Sequence, residues 1–289
     1  MTYSVVAADD ASGAYGVAVA SKALCVGAHV PWGGGGVGAV ATQAWHDLRY
    51  GWEGLALLED GRSAAGVVAS LTHDDPEAPH RQLGVVDRLG RAASYTGSRC
   101  MSWAGGMCGR SYAVQGNLLA GAQVVEAMAD AYEAALDLPF AVRLVRALVA
   151  GDEAGGDRRG RQSAALKIWS RRRVEGAATD VLADLRVDDA TRPVHRLEDL
   201  LAPYWLEHGT PAGEAIPLTG ARRVRVTEAL HTSADDLDRA LDRWASEHNL
   251  ERRVLPGAID PTVLEALEWG LERVLENAKS SPPTAGWPA

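Results

Sequence analysis

Short apolar runs separated by small polar breaks predict a series of β-strands along the first two thirds of the chain. Residues 2–7 and 14–20 are two such runs around a glycine-containing turn, and small and β-branched residues fill 36–44. The glycine-rich segment between the second and third runs is predicted to be a loop. Further strands are predicted over 81–87, 91–97, 111–117, 163–169 and 182–187.

Helical periodicity interrupts these strands twice. Residues 50–59 and 63–71 form one predicted pair of helices, and 121–135 and 140–150 form a second pair. The elements thus follow the order strands, helix pair, strands, helix pair, strands. This order lets two antiparallel sheets face each other while each helix pair covers one outer surface. The pattern therefore predicts an α+β fold arranged as a four-layer αββα sandwich; a plain α+β sandwich is the alternative.

The pattern changes near residue 189, where long amphipathic helical segments replace the strands. We predict a domain over 1–189 and a mainly helical C-terminal extension over 190–289. The last ten residues, rich in serine and proline, are expected to be a disordered tail.

Composition narrows the class of protein. The chain has 289 residues, 47% of them hydrophobic, and a formal net charge of -9, which argues against nucleic acid as a partner. Three cysteines form neither a closed disulfide set nor a zinc motif, so we expect free thiols in a reducing compartment. Neither a signal peptide nor an apolar run long enough for a membrane span is present. A cytoplasmic protein without membrane partners is expected.

Cofactor and metal motifs are also missing from the sequence. The glycines at 33–36 lack the GK[ST] ending of a P-loop, and the histidines and carboxylates have no HExxH-type spacing. We therefore expect no cofactor and no metal.

Thr2 is the first candidate for chemistry. After removal of Met1, a terminal threonine carries a hydroxyl and an α-amine whose pKa is about 7.7 to 8.0. The neutral amine can then accept the hydroxyl proton, directly or through one water. This chemistry needs an ordered terminus, and here the predicted strand begins at Thr2.

Nine short segments together resemble the DUF1028 family. The segments are MTYSVVAAD, GVAVASK, VGAHVPW, GVGAVATQA, RQLGVVD, YTGSRC, WAG, VQGNLLAG and GGDRRGRQSAAL, in this order over roughly residues 1–190. That family is assigned to the N-terminal-nucleophile (Ntn) hydrolase superfamily. The resemblance implies the αββα fold, amide hydrolysis and a homo-oligomer, without identifying a substrate.

Two further residues are predicted to assist Thr2. Lys22 ends the hairpin that begins with Thr2, and a cation there would favour the neutral amine and stabilise an alkoxide. Asn117 follows a predicted strand beside Gly116 and offers an amide donor for an oxyanion. A solvated lysine and an ordinary Gly-Asn turn are the alternatives.

The loop at 155–163 packs three arginines, an aspartate and three glycines into a short connection. Its arginines are candidates for binding a substrate carboxylate, with Arg161 and Ser163 as predicted substrate-binding residues. Asp157 is predicted to be a catalytic residue that orients an arginine or the Thr2 ammonium. An ion-paired network that ties the sheet to a helix, or subunit to subunit, is the alternative.

Other candidate substrate-binding residues lie at predicted strand ends or in loops. Arg81, with its neighbour Gln82, begins one strand, whereas Gln43 and His46 end another. The aromatic residues Trp32 and Trp103 are placed in glycine-rich loops, where they would wall a pocket or pack into the core.

The function predicted from these residues is hydrolysis of a non-peptide or isopeptide-type amide bond in a small molecule, through an acyl-enzyme on Thr2. A binding or assembly protein that keeps the fold without the chemistry is the main alternative. Cysteine-based hydrolysis at Cys100 or Cys108 is a third hypothesis, which no His/Cys motif supports.

Overall fold

A computed structural model describes residues 2–171, 179–209 and 214–283. Its contacts divide the chain into a first unit that ends at Glu198 and a second unit that begins at Asp199. The sequence pattern changes at 189/190, nine residues before this division.

The first unit is a mixed α+β structure with two antiparallel sheets. Its strands are β1 (Thr2–Asp9), β2 (Ala14–Ser21), β3 (Pro31–Gly34), β4 (Gly38–Ala44), β5 (Arg81–Asp87), β6 (Ala92–Thr96), β7 (Gly105–Gly109), β8 (Tyr112–Asn117), β9 (Ser163–Ser170) and β10 (Val181–Val187). One sheet has the order β10-β9-β2-β1-β8-β7 and the other has the order β3-β4-β5-β6. Thr2 thus begins a strand near the middle of the larger sheet, between β2 and β8.

Two helix pairs cover the sheets. The helices of this unit are α1 (Arg49–Glu59), α2 (Ala64–His73), α3 (Gln123–Ala134), α4 (Phe140–Glu153) and α5 (Pro193–Asp199). The first pair packs on the four-stranded sheet, through β3 to β6, and the second pair packs on the six-stranded sheet, through β1, β2 and β7 to β9. The two sheets also pack against each other, with β1 against β4 and β5 and with β8 against β5.

Strand alternation decides which side chains lie between the sheets, because successive residues point to opposite faces. On β1, Val6 and Ala8 join Val17 and Val19 of β2 in a cluster that also includes Ala41 of the opposing sheet. Tyr3 lies on the opposite face of β1, toward α4, where its hydroxyl donates to Asp152. The same alternation places Thr2 and Ser4 on the side that faces the other sheet.

Most predicted strands are confirmed, whereas β3 and β7 were not predicted. The β1–β2 and β5–β6 hairpins and both helix pairs lie where the pattern indicates. Trp32 does not lie in a loop, because residues 31–34 pair with β4 as a strand. Gly33 makes this pairing possible: a Cβ there would lie 2.5 Å from the ring of Trp169, so only glycine leaves room for the indole.

The second unit is mainly helical. It contains α6 (Leu201–His208), β11 (Ile216–Pro217), α7 (Gly220–Ala229), α8 (Leu237–Glu247), β12 (Val254–Leu255), β13 (Ala258–Ile259), α9 (Pro261–Trp269) and α10 (Leu271–Ser280). The three short strands form a small sheet of order β11-β13-β12, which the helical pattern did not predict. Of the last ten residues, which were predicted to be a disordered tail, Ser280 ends α10, and 284–289 lie outside the described residues.

None of the helices in the described parts of the chain is both long and apolar enough to cross a membrane.

Candidate functional site

Thr2 lies in a row of polar residues that crosses one end of the six-stranded sheet. It pairs with Asn117 of β8, and its hydroxyl donates to Ser21 Oγ of β2 at 3.2 Å. Ser21 in turn pairs with Ser163 of β9. The row runs over four adjacent strands, and the Thr2 residue is 5% exposed, so its hydroxyl is held at a buried strand end.

A network of buried amides lies beneath this row, between the two sheets. Gln43 of β4 donates to Gln82 Oε1 of β5 at 2.8 Å and accepts a hydrogen bond from Ser4 Oγ at 2.7 Å. Gln115 of β8 donates to Ser4 Oγ at 2.7 Å. Every one of these polar side chains is at most 1% exposed, so the hydrogen bonds replace contacts with water that burial removes.

The network holds Thr2 and Asn117 together. Asn117 Nδ2 donates to Gln82 Oε1 at 2.8 Å and lies 3.5 Å from the Thr2 carbonyl oxygen, to which Gln43 Nε2 also donates at 3.3 Å. Gln82 Nε2 donates to the Gly116 carbonyl oxygen at 2.7 Å. Of the predicted site residues, Thr2, Asn117 and Gln43 are therefore brought into direct contact.

The loop at 155–163 forms hydrogen bonds with the ends of β2 and β8, the two strands that flank Thr2. The Lys22 backbone N–H, just after β2, donates to Asp157 Oδ2 at 2.9 Å, and the Arg158 N–H donates to the Leu118 carbonyl just after β8 at 3.1 Å. The Gln162 N–H donates to the Ser21 carbonyl at 3.1 Å. Asp157 and its loop thus fix the positions of the strand ends on both sides of Thr2.

Two arginines of this loop form ion pairs with carboxylates. Arg159 pairs with Asp157 at 3.0 Å, and Arg161 pairs with Asp152, at the C-terminal end of α4, at 2.8 Å. Burial, with Asp152 as a further cause, raises the pKa of the Tyr3 hydroxyl that donates to the same carboxylate. Arg161 therefore fastens the loop to α4.

Ser163 and three other predicted binding residues have structural partners. Ser163 Oγ donates to the Ala23 carbonyl at 2.5 Å. The guanidinium of Arg81 pairs with Asp75 at 2.9 Å, and the Trp32 indole donates to the His29 carbonyl at 2.9 Å. Trp103 packs over Gly105, where a Cβ would lie 2.5 Å from the ring. These contacts hold all four side chains in place.

A cavity of about 520 Å³ opens beside Asn117. It is lined by Ala44, Trp45, His46, His80, Arg99, Cys100, Met101 and Asn117. The ring of His46 stacks on that of His29 at 5.6 Å. Burial lowers the pKa of His46, and the His29 imidazole lowers it further. Asn117 both pairs with Thr2 across the strands and lines the cavity.

Cys100 and Cys108, the two cysteines considered as nucleophiles, show no sign of activation. Burial raises the pKa of the Cys100 thiol and that of the Cys108 thiol, whereas a nucleophilic cysteine needs a lowered pKa. Within the described ranges, no three His, Cys, Asp or Glu side chains come together in a way that could hold a metal ion.

Sequence reasoning missed Ser4, Ser21 and Gln115. The available signal was alternation: Thr2 and Ser4, and likewise Gln115 and Asn117, occupy every second position of strands that are otherwise apolar. Polar residues at consecutive inward positions of two strands point to one buried polar cluster between the sheets.

The model of the DUF1028 family, a family of unknown function, matches residues 2–197. The chain belongs to the DUF1028 family. Among solved structures, the chain is similar to the crystal structure of protein SPO2555 from Silicibacter pomeroyi, which is also assigned to DUF1028. The two are 32% identical with a TM-score of 0.64, over 77% of this chain and 88% of the other. No protein of curated function matches the chain. The DUF1028 match includes every residue of the Thr2 site and ends before the second unit.

Proposed function

We propose that this DUF1028 protein is an amide-bond hydrolase of the N-terminal-nucleophile kind, with Thr2 as the nucleophile and a small molecule as substrate. The observation that carries the proposal is the pairing of a strand-initial threonine with Asn117 at the edge of a cavity. Met1 must be removed first, because only then does Thr2 carry a free α-amine.

The arrangement of layers supports the corresponding fold. Helices α1 and α2 pack on one sheet, helices α3 and α4 pack on the other, and the two sheets pack together. This is the order expected of a four-layer αββα sandwich. Thr2 begins β1, a central strand of the six-stranded sheet, so after methionine removal the free amine would lie at the start of an ordered strand.

In the proposed reaction the neutral amine of Thr2 takes the hydroxyl proton, directly or through a water, while Oγ forms a bond to the substrate carbonyl carbon. The carbon–nitrogen bond then breaks, and the leaving amine takes the proton. Water adds to the resulting ester, releases the acid and restores the Thr2 hydroxyl. Each step uses groups on Thr2 and one water.

Asn117 is proposed to bind the oxyanion. One hydrogen of its amide is directed to Gln82 Oε1, and the second is held only by the long 3.5 Å contact with the Thr2 carbonyl. That second hydrogen can move to an oxyanion at little cost, because the first hydrogen bond keeps the amide in place. Lys22 is proposed to act through its charge on the amine, while its backbone N–H and Asp157 fix the strand end.

Intact-mass measurement and covalent labelling test this function. The purified full chain is expected to lack Met1, and a β-lactone probe is expected to acylate Thr2, with the adduct located by peptide mapping. Thr2→Ser should keep the labelling, because serine retains the hydroxyl next to the amine. Thr2→Ala should abolish it.

The matched control is Thr72→Ala, since the Thr72 hydroxyl donates to the Val68 carbonyl of its own helix, on the helix pair that covers the other sheet. This variant should be labelled like the unmodified protein. Retention of Met1, or labelling that survives Thr2→Ala, would favour a binding protein that keeps the fold without the chemistry. The observation that supports this alternative is the nearly complete burial of Thr2, which is 5% exposed.

A further inference from the structure

The cavity beside Asn117 carries positive charge without a counter-charge in its lining. The charge belongs to the guanidinium of Arg99, because burial lowers the pKa of His46 and favours its neutral form, and His80 lies 3.9 Å from the Glu77 carboxylate outside the lining. None of the lining residues is an aspartate or glutamate. The whole chain, by contrast, has a formal net charge of -9. A local reversal of sign in a concave site selects ligands of the opposite charge.

Arg99 and Arg158 differ from the other arginines near the site, and of these two Arg99 lines the cavity. Arg81, Arg159 and Arg161 each pair with a carboxylate within 3.0 Å. The exposed guanidinium of Arg99 has neither an ion pair nor a hydrogen bond to any residue in the described parts of the chain. It is thus the arginine of this cavity that is available to a bound anion, which a planar guanidinium can bind through two hydrogen bonds.

The backbone that carries Arg99 is fixed relative to Asn117. The Arg99 N–H donates to the Pro79 carbonyl at 2.7 Å, and the Met101 carbonyl accepts from the Leu118 N–H at 2.9 Å. Gly97 allows this approach, because a Cβ there would lie 2.3 Å from the Pro79 carbonyl oxygen. The segment 97–101 therefore presents Arg99 at a set distance from the proposed oxyanion donor.

Apolar side chains form the rest of the wall. Trp45 and Met101 are 68% and 64% exposed, although large apolar side chains gain free energy when they leave water. The Trp45 backbone is nevertheless held, since its N–H donates to the His80 carbonyl and its carbonyl accepts from Arg81. A ligand with an apolar group would cover both side chains.

We infer that this cavity binds amides that carry a carboxylate and an apolar group, of the N-acyl amino acid type, with Arg99 binding the carboxylate and Trp45 and Met101 contacting the apolar part. The inference rests on the proposed function for the position of the scissile bond beside Thr2 and Asn117. It moves carboxylate recognition from the loop at 155–163, where Arg159 and Arg161 are already paired, to Arg99.

A pair of probes that differ only in charge tests the inference. N-acetyl-phenylalanine and its uncharged amide are titrated calorimetrically into the full-length Thr2→Ala variant, which cannot turn them over by the proposed route. The anionic probe should bind about tenfold more tightly than the neutral probe, as expected for a charged hydrogen bond. Arg99→Gln should remove this preference, and added salt should weaken it.

Arg110→Gln is the matched control, because exposed Arg110 lies in the β7–β8 turn, at the opposite end of β8 from Asn117. It should leave both affinities unchanged. Equal affinity for the two probes, no binding of either, or a preference that survives Arg99→Gln would overturn the inference. Binding here needs no nucleophile, so unlabelled Thr2 in the lactone experiment would refute the hydrolase proposal and leave the role of Arg99 standing.

Discussion

Asn117 and Gln82 belong to different sheets, yet the Asn117 amide donates to Gln82 Oε1 at 2.8 Å with both side chains almost completely buried. The same oxygen accepts a hydrogen bond from Gln43 Nε2 at 2.8 Å. Gln82 therefore connects the row that contains Thr2 to the opposing sheet, and its amide orientation fixes that of Asn117.

Gln82→Leu should destabilise the first unit by about 3 kcal/mol or more, because it leaves the buried amides of Gln43 and Asn117 without their acceptor and the Gly116 carbonyl without its donor. Urea unfolding of the full chain, followed by hydrogen exchange of peptides from β1, β5 and β8, measures the loss. Gln123→Leu is the control, since the Gln123 side chain is exposed, and it should change stability by no more than about 0.5 kcal/mol. Equal effects of the two variants would contradict the role assigned to Gln82.

Gly84→Ala should cost about 1 to 3 kcal/mol, because the new methyl group would lie 2.3 Å from the Gln115 side-chain amide, which is fully buried and cannot move into solvent. The cost should shrink in a Gln115→Ala background, which frees the space. A double-mutant cycle by urea unfolding measures this coupling.

The control for steric crowding is Gly34→Ala, where the nearest atom to the new methyl group is 3.7 Å away, an ordinary contact distance. Its stability should stay within about 1 kcal/mol of the unmodified protein. Additive effects of Gly84→Ala and Gln115→Ala would show that the contact between them has no energetic weight.

Local periodicity was sufficient to predict much of the fold. The β1–β2 hairpin alternates around a glycine turn, and α3 places Val124, Val125 and Met128 on one buried face. Such elements are recognisable because the residues that decide them are neighbours in sequence. The strand at Trp32 was missed because a proline precedes Trp32 and glycines follow it, and only pairing with β4 and packing against Trp169 make the segment a strand.

The candidate site was only partly predictable for a related reason. Thr2 and Asn117 could be named from their places at strand ends, but their contact depends on β1 lying beside β8, a pairing between segments more than a hundred residues apart. The arginine loop was recognised as unusual, whereas its partner Asp152, at the end of α4, was not. Residue type indicated where charge lies; the pairing partners required the three-dimensional structure.

Acid should destabilise the first unit through Asp9. Burial alone would raise the pKa of Asp9, but hydrogen bonds from Ser12 and the ion pair with Arg143 outweigh it and lower the pKa below its ordinary value. Because the folded-state pKa is the lower one, the ion pair contributes stability above the unfolded-state pKa, about 3.9, and loses it as the pH falls through the folded-state value.

The pH dependence can be measured by urea unfolding from neutral pH to about pH 2. Asp9→Asn should be least stable relative to the unmodified protein at neutral pH, where it leaves buried Arg143 without its charge partner, and the two curves should converge in acid. Asp130→Asn, on the exposed face of α3, should leave the curve unchanged. Parallel curves for Asp9→Asn and the unmodified protein would assign the acid sensitivity to other groups.

In the second unit, Arg253 is the side chain whose loss should matter most. Its guanidinium is fully buried, pairs with Asp260 at 3.0 Å, and donates to the carbonyls of Trp205 and Leu206 at the end of α6. Arg253→Met should cost about 3 to 5 kcal/mol, because it leaves the Asp260 carboxylate buried without a cation and two carbonyls without donors.

The adjacent residue supplies the control for this prediction. Arg252 is exposed, so Arg252→Met removes the same charge from the same segment and should cost no more than about 0.5 kcal/mol. Hydrogen exchange of peptides from α6 and α9 in the full chain measures the second unit separately from the first. If Arg253→Met speeds exchange no more than Arg252→Met does, the buried ion pair does not hold α6 to the β12–β13 hairpin.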